Sequence, residues 1–195
     1  NTIELVGPIF YTGIDQWGCT QPAYPYSVNS GNSFCSVASV GSFIDKIVHL
    51  QCLSTCESGN EVIRMIGSIN VQQAYWVANK KYPDASVYGG QFPNNCQHIA
   101  FDVPRLEIDD TISHELRHIT EFMKAYGAIA SGITSLTSSP LPSMTACEAA
   151  VDESKRIFAR ALDNILAAEI AHSRFRGEEI RGMSCDGVPV VIDHY

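Results

Sequence analysis

Two histidines four residues apart, His114 and His118, bracket a glutamate in the run His114-Glu115-Leu116-Arg117-His118. On a helix such a pair projects from one face, a turn apart, so both imidazoles reach a single divalent cation. Glu115 projects about 100° round the helix from His114, beside the pair, where a carboxylate takes a proton from water and later hands it to a leaving amine. Zinc suits this donor set, because it accepts imidazole nitrogen and lowers the pKa of its water from 15.7 to roughly 7. The chemistry expected of the run is therefore hydrolysis with one Zn2+ ion, His114 and His118 as ligands and Glu115 as general base and acid. The bland alternative places both histidines on a solvated face and makes Glu115 an ordinary helix charge. The amphipathic helix around the run, following a short strand, favours the first reading.

A catalytic zinc needs a third protein ligand and one open position. Glu121 and Lys124 stand where a metzincin continuation would place Gly and His, so that route is closed. A second helical stretch begins Cys147-Glu148-Ala149-Ala150-Val151-Asp152-Glu153. Together with the His-Glu-x-x-His run, it resembles the Glu-x-x-x-Asp pattern of the gluzincin metallopeptidases, thermolysin-like enzymes among them. The resemblance implies that Glu148 is the third ligand and that Asp152 hydrogen-bonds His114 and fixes its tautomer. It also implies peptide-bond hydrolysis, with a peptide or protein as substrate. A simple antiparallel hairpin of the two helices would instead bring residues near 153 to 157 opposite His118, which favours Glu153. Asp152 and Asp163 are further alternatives for the third ligand. Glu121 shares the face of the histidines, but three ligands along one straight helix stretch too far for one ion, so it is expected to be solvated or to support a ligand. Residues 109 to 185 are also similar to a bacterial group of predicted secreted zinc-dependent proteases, which share the motif helix, a later cysteine (Cys147 here) and a further long helix. Arg117 stands where that group tends to carry Gly.

The elements that must position these residues follow from pattern. Asp110 to about Ala130 repeats apolar residues at helical spacing, with Asp109, Asp110 and Thr111 as cap candidates. Residues 131 to 142 form a Gly, Ser and Pro linker, and Ser143 to about Arg174 is a second helix without internal Gly or Pro. Upstream, Thr2 to Tyr11 predicts a strand that ends or bends at Gly7-Pro8, followed by a loop over 12 to 33. Residues 34 to 53 lean towards strands, 61 to 81 towards a helix from about Val71, and Gln97 to Val103 is a short strand. That last strand offers an edge to which an extended peptide could add. Tyr126, His172, Arg174, His194 and Tyr195 are the polar candidates for stabilising an oxyanion, and nothing singles one out. The expected fold is α+β: one domain over 1 to 195, with a small, mainly antiparallel sheet in residues 1 to 108 and a helical half in 109 to 195 that carries the metal site.

Composition sets the outer bounds. With 195 residues, 45% of them apolar, the chain can bury a proper core. Its formal charge of -8 and pI near 5.1 leave no basic footprint for nucleic acid. No apolar run is long enough to span a membrane, and the N-terminus lacks the pattern of a signal peptide, so the chain reads as soluble and already trimmed. Seven cysteines, at 19, 35, 52, 56, 96, 147 and 185, point to an oxidising compartment, secreted or periplasmic, with up to three disulfides and one thiol over. Cys52 and Cys56 with His49 could form half of a metal knuckle, but no second pair follows at the needed spacing. Two other function classes fit the same chain: a disulfide-stabilised extracellular binding module whose metal is incidental or structural, and a zinc amidase acting on cell-wall peptide. Oligomeric state is not readable from the sequence.

Overall fold

Helix α2 (Arg105–Leu136) carries the motif, and its phase is set by one buried stripe: Thr111, Glu115, Ile119, Phe122, Tyr126, Ile129 and Ile133 recur every three or four residues. Helix α3 (Met144–Arg176) has its own stripe of Cys147, Val151, Ser154, Phe158 and Leu162. Both helices overrun the ranges expected from sequence, and α2 takes in residues 131 to 136 that the Gly and Ser content had marked as linker. Ser131 and Thr134 accommodate this by turning their hydroxyls back onto the carbonyls of Gly127 and Ala130. The computed structural model describes residues 2–14, 18–29, 36–78, 81–82, 101–102, 105–176, 179–183 and 189–193.

The remaining elements are strands β1 (Thr2–Ile14) and β2 (Gly18–Gln21), helix α1 (Val40–Ile47), and strands β3 (Val48–Glu57), β4 (Asn60–Ala78), β5 (Lys81–Tyr82), β6 (Phe101–Asp102), β7 (Pro140–Leu141), β8 (Glu179–Met183) and β9 (Pro189–Asp193). The fold is α+β, as expected, and the sheet is not a closed barrel. Strand β4 is its spine: β1 and β2 flank it in the order β1-β4-β2, and β3 and β7 also pair with it. β3 runs antiparallel to β4 from Val48 opposite Ile69 to Glu57 opposite Asn60.

Three local expectations are corrected. Residues 40 to 47 form a helix, because Val40, Phe43, Ile44 and Ile47 bury one face at helical spacing before β3 begins. Residues 60 to 78 form a strand throughout, because the buried positions Met65, Gly67, Ile69, Val71 and Gln73 alternate with period two, which a helix cannot satisfy. β1 continues through Gly7-Pro8 without a break. Of the strand expected over 97 to 103, Phe101 and Asp102 pair with Tyr82 and Lys81; its other residues lie outside those described, as do the side chains of His172, Arg174, His194 and Tyr195.

The chain divides into two compact units. The first holds Asn1–Pro8, Gln21–Gln73 and Thr120–Ile165. Within it, a disulfide ties Cys52 of β3 to Cys147 of α3, which removes Cys52 from any metal knuckle, while Cys56 is free and exposed. Gly67 leaves room for its neighbours, since a Cβ there would lie 2.6 Å from Leu50 Cδ2 and 2.7 Å from Ile133 Cγ2 and would make those side chains shift. Tyr126 is fully buried and donates to the carbonyl of Pro22 at 2.8 Å. Burial pushes its hydroxyl far above the ordinary phenol range. It pins the Pro22 backbone, a different role from the oxyanion donor considered above. The second unit holds Ile9–Thr20, Ala74–Ile119 and Leu166–Tyr195. In it Tyr11 stacks on Trp76, with centroids 4.9 Å apart, and β8 and β9 form an antiparallel hairpin.

Candidate metal site

Gly18, Thr20, His114, Glu115, Arg117, His118 and Glu169 all belong to the second unit. His114 and His118 sit one turn apart on α2 with their Nε2 atoms 2.9 Å from each other and their ring centroids 4.5 Å apart, edge to face. The two nitrogens that would ligate a cation therefore converge on one place. Tetrahedral zinc with Zn–N distances of 2.0–2.1 Å sets its ligand nitrogens roughly 3.3 Å apart, so a small opening of the rings fits the ion. The far side of His118 is held as well: Nδ1 lies 2.8 Å from Glu169 Oε2, and both side chains are 15% exposed. A carboxylate on the other ring nitrogen is the partner a ligating imidazole usually keeps, because it fixes the tautomer that frees Nε2. On His114 the corresponding contact is of the opposite kind, with Arg117 Nη2 3.0 Å from Nδ1.

Glu115 falls on the buried stripe of α2, at 4% exposure, one residue round from the rings. A carboxylate in that position loses most of its hydration and needs polar partners. Thr20 of β2 supplies one, its hydroxyl donating to Glu115 Oε2 in a short hydrogen bond. Room for the other oxygen comes from Gly18, two residues earlier in the strand: a Cβ there would stand 2.6 Å from Glu115 Oε1 and 2.7 Å from Thr111 Cγ2. β2 thus cradles the carboxylate through a missing side chain and a hydroxyl on the same face of the strand.

The residues assigned by resemblance fare differently. Glu148, Asp152 and Glu153 are exposed on the part of α3 that belongs to the first unit, and Glu153 ion-pairs with Arg156. Asp163 is exposed as well, and Glu121 ion-pairs with Lys124 at 2.5 Å. None of them gains support as a ligand from these surroundings. A carboxylate contact of the kind expected of Asp152 at His114 is made by Glu169 at His118. Among the described residues, no three His, Cys, Asp and Glu side chains come together as a metal-holding group, so a third ligand is not found there.

Sequence reasoning passed over Glu169, Thr20 and Gly18. Glu169 carried a usable signal, because the stripe Val151, Ser154, Phe158, Leu162 continues in phase seven residues on, at a glutamate in place of an apolar residue. Glu148, Asp152 and Glu153 are out of that phase. Nothing in the short run Gly18-Cys19-Thr20-Gln21 marked it as a partner of α2.

No family model matches the chain, and neither the curated proteins nor the solved structures contain a match to it.

Proposed function

We propose that the protein is a zinc-dependent hydrolase that cleaves peptide bonds, with His114 and His118 as ligands and Glu115 as the proton carrier. The observation that carries this reading is the convergence of the two Nε2 atoms while Glu169 occupies the far nitrogen of His118. Zinc, when bound, supplies Lewis-acid polarisation of a carbonyl and an acidified water. Glu169 accepts the Nδ1 proton of His118 and keeps its Nε2 lone pair aimed at the shared point. Glu115 takes the proton that the attacking water gives up and returns it to the departing amine. Burial raises the cost of charge on Glu115, and the Thr20 hydroxyl offsets part of that cost and fixes the carboxylate's rotation. The third ligand lies outside the described side chains in this account, and Glu148 keeps only the support of its resemblance to the gluzincin pattern.

A disulfide between Cys52 and Cys147 and a second at Cys19 favour an oxidising compartment, and we read the chain as secreted or periplasmic. Among the described residues no helix is long and apolar enough to cross a membrane.

Glu115→Gln tests the reading. The variant is expected to bind zinc as the parent does, because Glu115 is no ligand, while kcat on a peptide library falls roughly 10²- to 10⁴-fold. Turnover that survives unchanged would remove Glu115 from the chemistry. Cleavage of purified cell-wall peptide in place of the library would redirect the substrate to an amidase.

A further inference from the structure

We propose that Arg117 holds His114 in the tautomer that cannot ligate a metal, so that a cation loads only as Arg117 lets go of the ring. The proposal rests on the reading of His114 and His118 as a chelating pair. Its ground is donor and acceptor accounting. A guanidinium carries N–H groups and no acceptor, so His114 Nδ1, 3.0 Å from Arg117 Nη2, is the accepting nitrogen. The proton of a neutral His114 is therefore on Nε2. That proton faces His118 Nε2 at 2.9 Å, which must accept it. His118 then carries its own proton on Nδ1, 2.8 Å from Glu169 Oε2, where a donor meets a carboxylate. Starting from Glu169 gives the same answer, since a carboxylate only accepts. One assignment of two neutral rings satisfies all three contacts: Arg117 donates to His114, His114 to His118, and His118 to Glu169.

The two rings are consequently unequal. His118 already presents a lone pair to the shared point, whereas His114 presents an N–H there. To ligate through Nε2, His114 must carry its proton on Nδ1, where it would meet the N–H of Arg117, donor against donor. Ligation by His114 and its contact with Arg117 exclude each other. A guanidinium charge beside the ring also repels a divalent cation. Arg117 and Glu169 therefore act with opposite sign on the same pair: one withholds a ligand and the other prepares one.

The test is zinc affinity, measured with the metal alone by competition against a chelator, in the full chain and in its Arg117→Met and Glu169→Ala variants. Methionine keeps length without a donor. Arg117→Met is expected to bind zinc roughly 10- to 100-fold more tightly, the scale of one charge-assisted hydrogen bond. Glu169→Ala is expected to bind roughly 10- to 100-fold more weakly. Nitrogen-15 spectra of the imidazoles in the metal-free parent give a readout that needs no variant: His114 should carry its proton on Nε2 and His118 on Nδ1. Unchanged or weaker zinc binding in a folded Arg117→Met protein, beside a parent that binds, overturns the role of Arg117 and leaves the chelating pair standing. A proton on Nδ1 of His114 in the metal-free parent overturns it too. Absence of zinc binding in both proteins overturns the chelating pair and, with it, the role given to Arg117.

Discussion

Glu115 is the side chain whose placement asks most of its surroundings. It occupies a slot on the α2 stripe between Thr111 and Ile119 where an apolar residue would suit the core better, and it is nearly sealed from water. An unsupported carboxylate there would be expensive, and the support is specific: a hydroxyl from Thr20 and space left by Gly18. Gly18→Ala is therefore a sharp probe. Its methyl would press on Glu115 Oε1 and Thr111 Cγ2, forcing the carboxylate off Thr20 or the strand away from the helix. Overpacking of this kind costs about 1–3 kcal/mol, read as a lower Tm or denaturant midpoint. Peptidase kcat should fall with it by about 10²-fold, because a misplaced proton carrier is a poor one, while zinc affinity, set by the rings, holds. A variant with full kcat would show that the cradle does not position the base. At this scale the sequence was legible where spacing alone decides. Residues four apart on a helix must share a face, and the rings of His114 and His118 face each other. It was illegible where partners come from elsewhere in the chain, as Thr20 and Glu169 do, because no local pattern records which strand or later turn a side chain will meet.

At the scale of elements, periodicity served the long helices and failed on the long strand. α2 and α3 repeat their apolar residues over many turns; α3 ends within a turn of its expected bounds, while α2 overruns by more than a turn at each end. β4 misled because Ile66, Ile69, Ala74, Trp76 and Val77 can be threaded at near-helical intervals, while the burial that matters follows Met65, Gly67, Ile69, Val71 and Gln73 in alternation. The β-branched content of the segment and its pairing with β3 decide for the strand. α1 shows the reverse: Val40, Ile44 and Ile47 look like strand residues individually, yet the 40, 43, 44, 47 spacing buries one helical face. Within the first unit the disulfide joins β3 to α3 across 95 residues of sequence. Closing a loop of that length in the unfolded chain should stabilise the fold by about 4–5 kcal/mol. Replacing Cys52 and Cys147 together by alanine should lower the unfolding free energy by about that amount in denaturant titrations. A loss below about 1 kcal/mol would mean that the bridge is incidental to the fold.

For the molecule as a whole, the proposed hydrolase is preferred to a binding module on the cluster of His114, His118 and the buried Glu115. The cluster carries that preference. A binding module has no use for a carboxylate sealed in the core beside two facing imidazoles, nor for a second carboxylate that fixes the tautomer of one of them. Its α+β character was visible in composition and pattern, whereas the division into two units was not, since α2, α3, β1 and β4 each contribute to both. Such sharing arises from contacts distant in sequence and leaves no trace in local composition. The most direct test of the central claim is an anomalous difference map, collected at the zinc edge, from crystals of the full chain soaked in zinc. A single peak about 2.0–2.1 Å from Nε2 of both His114 and His118 is the expected result. Rings still hydrogen-bonded to each other with no peak between them, or a zinc ion bound only elsewhere, would contradict it.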